Sequence, residues 1–376
     1  MVSNSNLSAP LFLELIQVTI GVRHALSSSP SEKEWEILYK FSEKQTLLGI
    51  CFYGVQKVFN NAPEQTAHMP MELRMQWLTV TARIQRQNEI MDLRCAELQE
   101  ILARDGMQAC VLKGQGVASL YRSEDNPCDT SLKSLRQPGD IDVWIKDTDI
   151  PQLVKYLHSR GLKYHATIAH VECNFFPQVT VEFHAVPAFL RNFYYNRRLQ
   201  QWCATYNWTN FNKIKSFTVP SDSFNLVFLL VHLYHHFLYE GVGFRQLMDY
   251  LMLLRSLSAE KRQTLYSETM QTLKSLGMQK FTQGVMDVMQ EVFLMPRELM
   301  LCEPDPKVGQ ILLADMLESG NMGKYHSNKT ANRRNRMTLH WTNFKRNMAF
   351  LSISPSEVLS SPAWSLWHCG WRIWKL

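Results

Sequence analysis

Apolar side chains recur every three or four positions at Leu11, Leu15, Val18 and Val22, a helical spacing that the Ser27-Ser28-Ser29-Pro30 break ends. Ser31 with Glu34 has the form of a capping box opening a second helix. After a turn-rich stretch over 60–70, the pattern predicts a long helix over 71–105, with Trp77, Ile84, Met91 and Leu98 on one stripe and Gly106 as its stop. The character changes at Gln108. A short apolar run over 109–112 reads as a strand, followed by Lys113-Gly114-Gln115-Gly116 and a helix through Leu120 and Tyr121. A second strand is predicted over 141–145, a helix over 149–159 ended by Gly161, and two more strands over 171–176 and 179–184, hinged at Pro177. From Ser221 the helical pattern returns, with Ser221 and Asp222 as N-caps and an apolar face through Leu226, Leu229, Leu230 and Leu233. The predicted class is α+β: a small mixed-sheet core over 106–218 between an N-terminal helical region, 1–105, and a C-terminal one, 219–376.

Composition supports a folded chain: 376 residues, 45% hydrophobic and 20% charged, are ordinary values for globular proteins. A net charge of +6 suits an anionic ligand such as a nucleotide without establishing one. The eight cysteines show no C-x-x-C spacing, which argues against a zinc knuckle or disulfide framework and for reduced thiols in a cytoplasm. The start lacks a basic n-region, and Glu14 and Gln17 interrupt the apolar stretch after it, so no signal peptide is expected. The most apolar internal run, 226–238, contains three histidines and is far shorter than the roughly 20 residues of a spanning helix. Between 319 and 355 lie seven basic residues and no acidic one, with Tyr325, Trp341 and Phe344 interleaved. Such a run can face RNA, although a solvated loop is its commoner cause. Trp364, Trp367, Trp371 and Trp374 recur at helical spacing, for which packing on the body is favoured over docking at a membrane surface.

The chemistry concentrates in Gly139-Asp140-Ile141-Asp142-Val143-Trp144-Ile145. Strand alternation puts both carboxylates on one face with Cα atoms roughly 7 Å apart. Uncompensated, they raise one another's pKa, whereas a pair of Mg²⁺ ions roughly 3.5–4 Å apart is held by such a cluster. The plain alternative is an acidic pair at a solvent-exposed strand edge. Upstream, Lys113 and the Gly114 backbone stand where a strand passes into a helix and phosphate oxygens can be held. Downstream, Glu182 and His184 share one strand face while Val179, Val181 and Phe183 take the other. His232 and His236, four apart, have the spacing of two zinc ligands, but His-Glu-x-x-His is absent, so histidines lining a polar pocket or satisfied in the core are preferred. Arg245 and Asp249, also four apart, read first as a local ion pair.

A strand, Lys-Gly and a helix, then an Asp-x-Asp strand, then an acid on a later strand: this order resembles the polymerase-β-like nucleotidyltransferase superfamily. More narrowly, L-K-G, G-D-I-D-V-W-I and V-E-F-H, followed by H-x-x-x-H and G-V-G-F-R-Q-L-M-D, resemble an uncharacterised bacterial nucleotidyltransferase family related to the enzymatic subunits of toxin–antitoxin systems. The motifs cover about 111–250. The resemblance implies transfer of a nucleoside monophosphate from a nucleoside triphosphate, ATP among them, to an acceptor that RNA, protein and small molecules all fit. It implies Asp140, Asp142 and Glu182 as ligands of two Mg²⁺ ions, with Mn²⁺ able to stand in, and as the catalytic carboxylates. It also implies Lys113 and Gly114 against the phosphates, Arg136 reaching the triphosphate, and His236 and Arg245 in contact with nucleotide or acceptor. Two departures stand out: Lys113 replaces a residue that is usually small, and an insert over 122–138 separates the phosphate loop from Asp140. The insert reads as a lid, a substrate loop or a flexible excursion, the last being preferred. Two other functions compete: a catalytically silent relative that binds RNA or a protein partner through its basic segment, and a metal-dependent glycosyltransferase.

Overall fold

The structure is a computed structural model and describes residues 5–206, 208, 211–214, 216–320, 348 and 350–375. The N-terminal helices are α1 (Ser5–Thr19), α2 (Glu32–Lys44), α3 (Leu48–Asn61) and α4 (Met71–Arg104). At the start of α2, Ser31 and Glu34 form the expected capping box, satisfying two backbone donors that the helix cannot. The α4 stripe is buried as Trp77, Ile84, Met91 and Leu98, and the helix stops before Gly106, which takes φ +77°.

The core follows as β1 (Ala109–Val111), α5 (Gln115–Ala118), α6 (Ser131–Leu135), β2 (Ile141–Ile145), α7 (Ile150–Ser159), β3 (Tyr164–Ala166), β4 (His170–Phe176), β5 (Val179–His184) and α8 (Phe193–Thr205). The five strands form one mixed sheet in the order β1-β2-β5-β4-β3, in which only β2 and β5 run parallel. A two-stranded ribbon, β6 (Asn212–Ile214) and β7 (Phe217–Val219), leads into the helices α9 (Asp222–Tyr239), α10 (Phe244–Ser256), α11 (Ala259–Ser275), α12 (Gln279–Phe293) and α13 (Pro306–Ser319).

Alternation sorts the sheet into two faces. Ile141, Val143, Ile145, Val171, Val181 and Phe183 pack under α7 and the end of α4 in one apolar cluster. On the opposite face Cys110 and Trp144 join a larger cluster running through α1–α3 and α9–α13, with the Trp144 ring stacked on Phe224 at 5.5 Å. Buried amides cross the same interior: Gln17 Nε2 donates to Val292 O at 3.1 Å, and Gln45 Nε2 to Met316 O at 2.9 Å. A further helix, Pro355–Lys375, is tied to the chain after β5: the Glu357 carboxylate accepts from the Arg191 and Asn192 amides, and the Arg191 guanidinium lies between the Tyr239 and Trp364 rings. Trp364 thus packs on the body, whereas Trp367 is exposed. The basic stretch over 321–347 and the Trp374 side chain lie outside the described residues. Among the described residues no helix is long and apolar enough to cross a membrane.

Two expectations change. The helix after Lys113 is a single turn, Gln115–Ala118, because the chain is drawn off by Tyr121, whose hydroxyl donates to the buried Asp249 carboxylate at 2.6 Å. Nor is the insert over 122–138 a loose excursion. Asp125 pairs with Lys57 at 2.7 Å, Tyr53 donates to Asp129 at 2.7 Å, and Lys133 pairs with Asp92 at 2.8 Å. Asn88 Nδ2 donates to Ser134 O and Arg136 O, and the Arg136 guanidinium grips Asp249 through two 2.7 Å bonds. These bonds anchor the insert to α3, α4 and α10.

The Arg136–Asp249 pair is buried on both sides, so removing one partner strands the other charge in the core. Asp249→Leu should cost about 3–5 kcal/mol in urea unfolding, and adding Arg136→Met should restore most of it. A single-mutant loss below about 1 kcal/mol would show that the pair is not the anchor described.

Candidate active site

β2 and β5 are parallel neighbours with Asp142 opposite Glu182, which sets two carboxylates side by side on the face carrying Trp144. Asp142 is buried, only 3% exposed, and such a charge survives in a core only if it is paired. Two partners answer it: the Lys113 ammonium, with Nζ 3.1 Å from its Oδ1, and the His184 imidazole, with Nε2 3.0 Å from the same oxygen. His184 Nε2 also lies 3.3 Å from Glu182 Oε2. Because carboxylates only accept, the Nε2–H must donate. Burial alone would raise the Asp142 carboxyl, but Lys113 and then His184 outweigh it and hold it far below the usual carboxylate range. Reciprocally, the two carboxylates overcome burial and raise both Lys113 and His184.

Asp140 stands at the mouth of β2. The residue as a whole is exposed, yet crowding strips water from its carboxyl, and the charges of Glu182 and Asp142 add repulsion, pushing it up to about 6. Lys113 has a second partner in His232 Nε2, 3.4 Å from Nζ. An ammonium has no acceptor, so His232 accepts; burial, and then Lys113 itself, hold its pKa well below the ordinary value and keep the imidazole neutral. The residue after Lys113, Gly114, takes φ 60°, ψ −113°, a conformation that a side chain would oppose, and the carbonyl oxygen of Asp140 lies 3.7 Å from where a Cβ would stand. Gly116, Val117 and Ala118 already donate to the carbonyls of Lys113 and Gly114. The one-turn helix therefore adds little dipole, and Lys113 is the cationic side chain that lies against Asp142 in this corner.

Asp140, Asp142, Glu182, Lys113 and Gly114 are thus brought to one corner of the sheet. Arg136 is not, since its guanidinium is committed to Asp249. Arg245 makes no local pair with Asp249; its Nη1 donates to Gln137 O at 3.0 Å, bracing the turn that leads to Asp140. Burial and then Arg136 bring its pKa down to about 10. His236 is one step removed, with its ring 4.2 Å from that of His232 and its Nδ1 2.7 Å from Glu240 Oε2.

A family model described as an uncharacterised nucleotidyltransferase matches residues 31–294, more than two thirds of the chain. The chain belongs to this family. No curated protein and no solved structure matches it. The match runs from α2 to the end of α12, so this nucleotidyltransferase includes most of the helical shell as well as the sheet. Its corner holds one residue that the sequence did not single out, His170, and gives His232, expected as a pocket-lining or core histidine, a definite contact. His170 lies opposite His184 across β4 and β5, the ring centroids 5.0 Å apart, and His232 supports Lys113. The signal for His170 was the repeated acid–histidine spacing of two, His170/Glu172 against Glu182/His184, which becomes informative once the strands are paired.

The raised Asp140 pKa has a definite sign. Folding disfavours the charged form, so the cost is absent below the ordinary carboxylate value near 3.8, grows as pH rises and is complete above about 6. Asp140→Asn, without added metal, should leave stability unchanged near pH 3.5 and raise it by about 1 kcal/mol at pH 7.5, allowing for solvent screening of an exposed group. Thermal unfolding across that range checks it; a gain equal at both ends would dissociate Asp140 from the cluster.

Proposed function

We propose that the protein transfers a nucleoside monophosphate from a nucleoside triphosphate such as ATP to an acceptor hydroxyl, releasing pyrophosphate, with divalent cations held by Asp140, Asp142 and Glu182. The observation that carries this reading is the placement of Asp142 beside Glu182 on parallel strands with Lys113 against Asp142. The donor set fits Mg²⁺, with Mn²⁺ as a substitute: the three side chains offer oxygens alone, and Asp140 has an open side toward solvent. Bound by these carboxylates, such cations would supply the charge stabilisation that an in-line displacement at the α-phosphate requires.

The protein's own groups do the remainder. Asp142 is ionised throughout the neutral range, so it offers its charge without first losing a proton. Lys113 acts as the resting counter-charge; once Asp142 is neutralised otherwise, its ammonium is released toward phosphate oxygens while His232 keeps it within reach. Glu182, next to Asp142 and partly open, is suited to take the acceptor's proton. Arg245 acts by fixing the Gln137 carbonyl and hence the approach to Asp140. Acceptors on RNA, protein or a small molecule all fit this chemistry, and kinship with toxin–antitoxin enzymes belongs to the same proposal.

Labelled triphosphate and Mg²⁺ should yield pyrophosphate, and Asp142→Ala or Glu182→Ala should reduce its release by about 10²-fold or more, as for loss of a main electrostatic element. Lys113→Ala should chiefly raise KM for the triphosphate. An undiminished rate in Asp142→Ala sinks the assignment. Hydrolysis of a nucleotide sugar without pyrophosphate would point to a glycosyltransferase, and RNA binding without turnover to a silent relative.

A further inference from the structure

Beside the all-oxygen set lies a second set of different chemistry. His170, Glu182 and His184 each offer one ligand atom, and the three atoms lie within 4.8 Å of one another. Their convergence is built into the sheet: β4 and β5 pair His170 with His184, and Glu182 precedes His184 by two on the same face. His184 is more than nine-tenths buried, and its Nε2–H is spent on Asp142 and Glu182. Its Nδ1 is buried with no hydrogen-bond partner. A nitrogen left bare in this way is a cost to the fold unless something occupies it. A carboxylate that fixes one imidazole nitrogen and leaves the other for a cation is the usual outer support of a metal-bound histidine, and the Asp142 bond to Nε2, with Nδ1 bare, is compatible with that role.

We propose that His170, Glu182 and His184 form a nitrogen-containing site for a transition-metal dication of the Zn²⁺ type, separate in selectivity from the Mg²⁺ positions and joined to them through Glu182. Imidazole favours zinc and its first-row neighbours, whereas Mg²⁺ prefers oxygen throughout. Two histidines and one carboxylate also leave a fourth position of a tetrahedral ion open, the arrangement found where zinc takes part in chemistry. The inference extends the proposed function by giving the same face a cation that Mg²⁺ does not replace. Asp142 then serves twice, as a carboxylate of the Mg²⁺ set and as the group orienting His184.

Co²⁺, a coloured stand-in for Zn²⁺, tests this on the full-length protein without nucleotide. Binding of one equivalent should give the visible absorption of a nitrogen- and oxygen-ligated ion, be reversed by Zn²⁺ and be indifferent to excess Mg²⁺. His170→Ala and His184→Ala should each weaken binding at least about tenfold, and Asp142→Asn about 10–100-fold through loss of the outer support. No uptake, thiolate-type absorption, or full binding retained in both histidine variants overturns the proposal. Should the variants misfold, anomalous diffraction at the zinc edge from Zn²⁺-soaked wild-type crystals decides: a peak among the three side chains supports the site, and its absence removes it. Pyrophosphate release with Mg²⁺ is a separate readout. Its failure with Co²⁺ bound at the histidines would cost only the transferase reading, and the converse result only the zinc site.

Discussion

A single carboxylate, Asp142, governs the design of this protein. It sits almost out of reach of water in the strand that joins the two apolar clusters, where an ionised group is tolerated only with partners at contact distance. Meeting that demand determines the neighbourhood: Lys113 from the turn after β1, His184 from β5, and His232 on α9 to hold Lys113. In a buried charge network of this kind, every member is placed by the others. The corner is therefore organised by electrostatic necessity before any ligand arrives, and pre-organised charge is what phosphoryl chemistry needs.

A second buried pair carries the mechanical burden. Asp249 on α10 collects Arg136 from the insert and Tyr121 from the end of the one-turn helix, while Arg245, one turn earlier on α10, holds the Gln137 carbonyl. The segments entering and leaving the insert thus meet on one helix of the shell. This explains how a large excursion between Lys113–Gly114 and Asp140 stays anchored, and the family match covers both the excursion and α10.

Much of this was legible from residues alone, and the remainder was hidden for identifiable reasons. The bounds of α4, the box at Ser31 and the Asp140–Asp142 spacing depend on local periodicity, which a sequence displays directly. The direction of Arg136 and the anchoring of the insert depend on contacts with partners more than a hundred or some tens of positions away, Asp249 and Lys57 among them, and no local pattern encodes these. Register was subtler. The turn at Pro177 and Gln178 sets Phe176 opposite Val179, and carrying that pairing straight along the hairpin would put Glu172 opposite Phe183. An irregularity between Cys173 and Phe176 shifts the ladder by one, so that Glu172 meets Glu182 and His170 meets His184. The whole imidazole cluster depends on that one-residue slip.

The division of the sheet's two faces also bears on how the molecule is made. One face is covered by α4 and α7, elements adjacent to the strands in the chain, whereas the face bearing Asp142 joins a cluster built from α1–α3, which precede it, and from α9–α13, which follow. A ribosome therefore delivers the acidic strands while the support for Lys113 is still unsynthesised. Until α9 docks, the nascent polypeptide has Asp142 and Lys113 but not the His232 contact that completes their buried charge network.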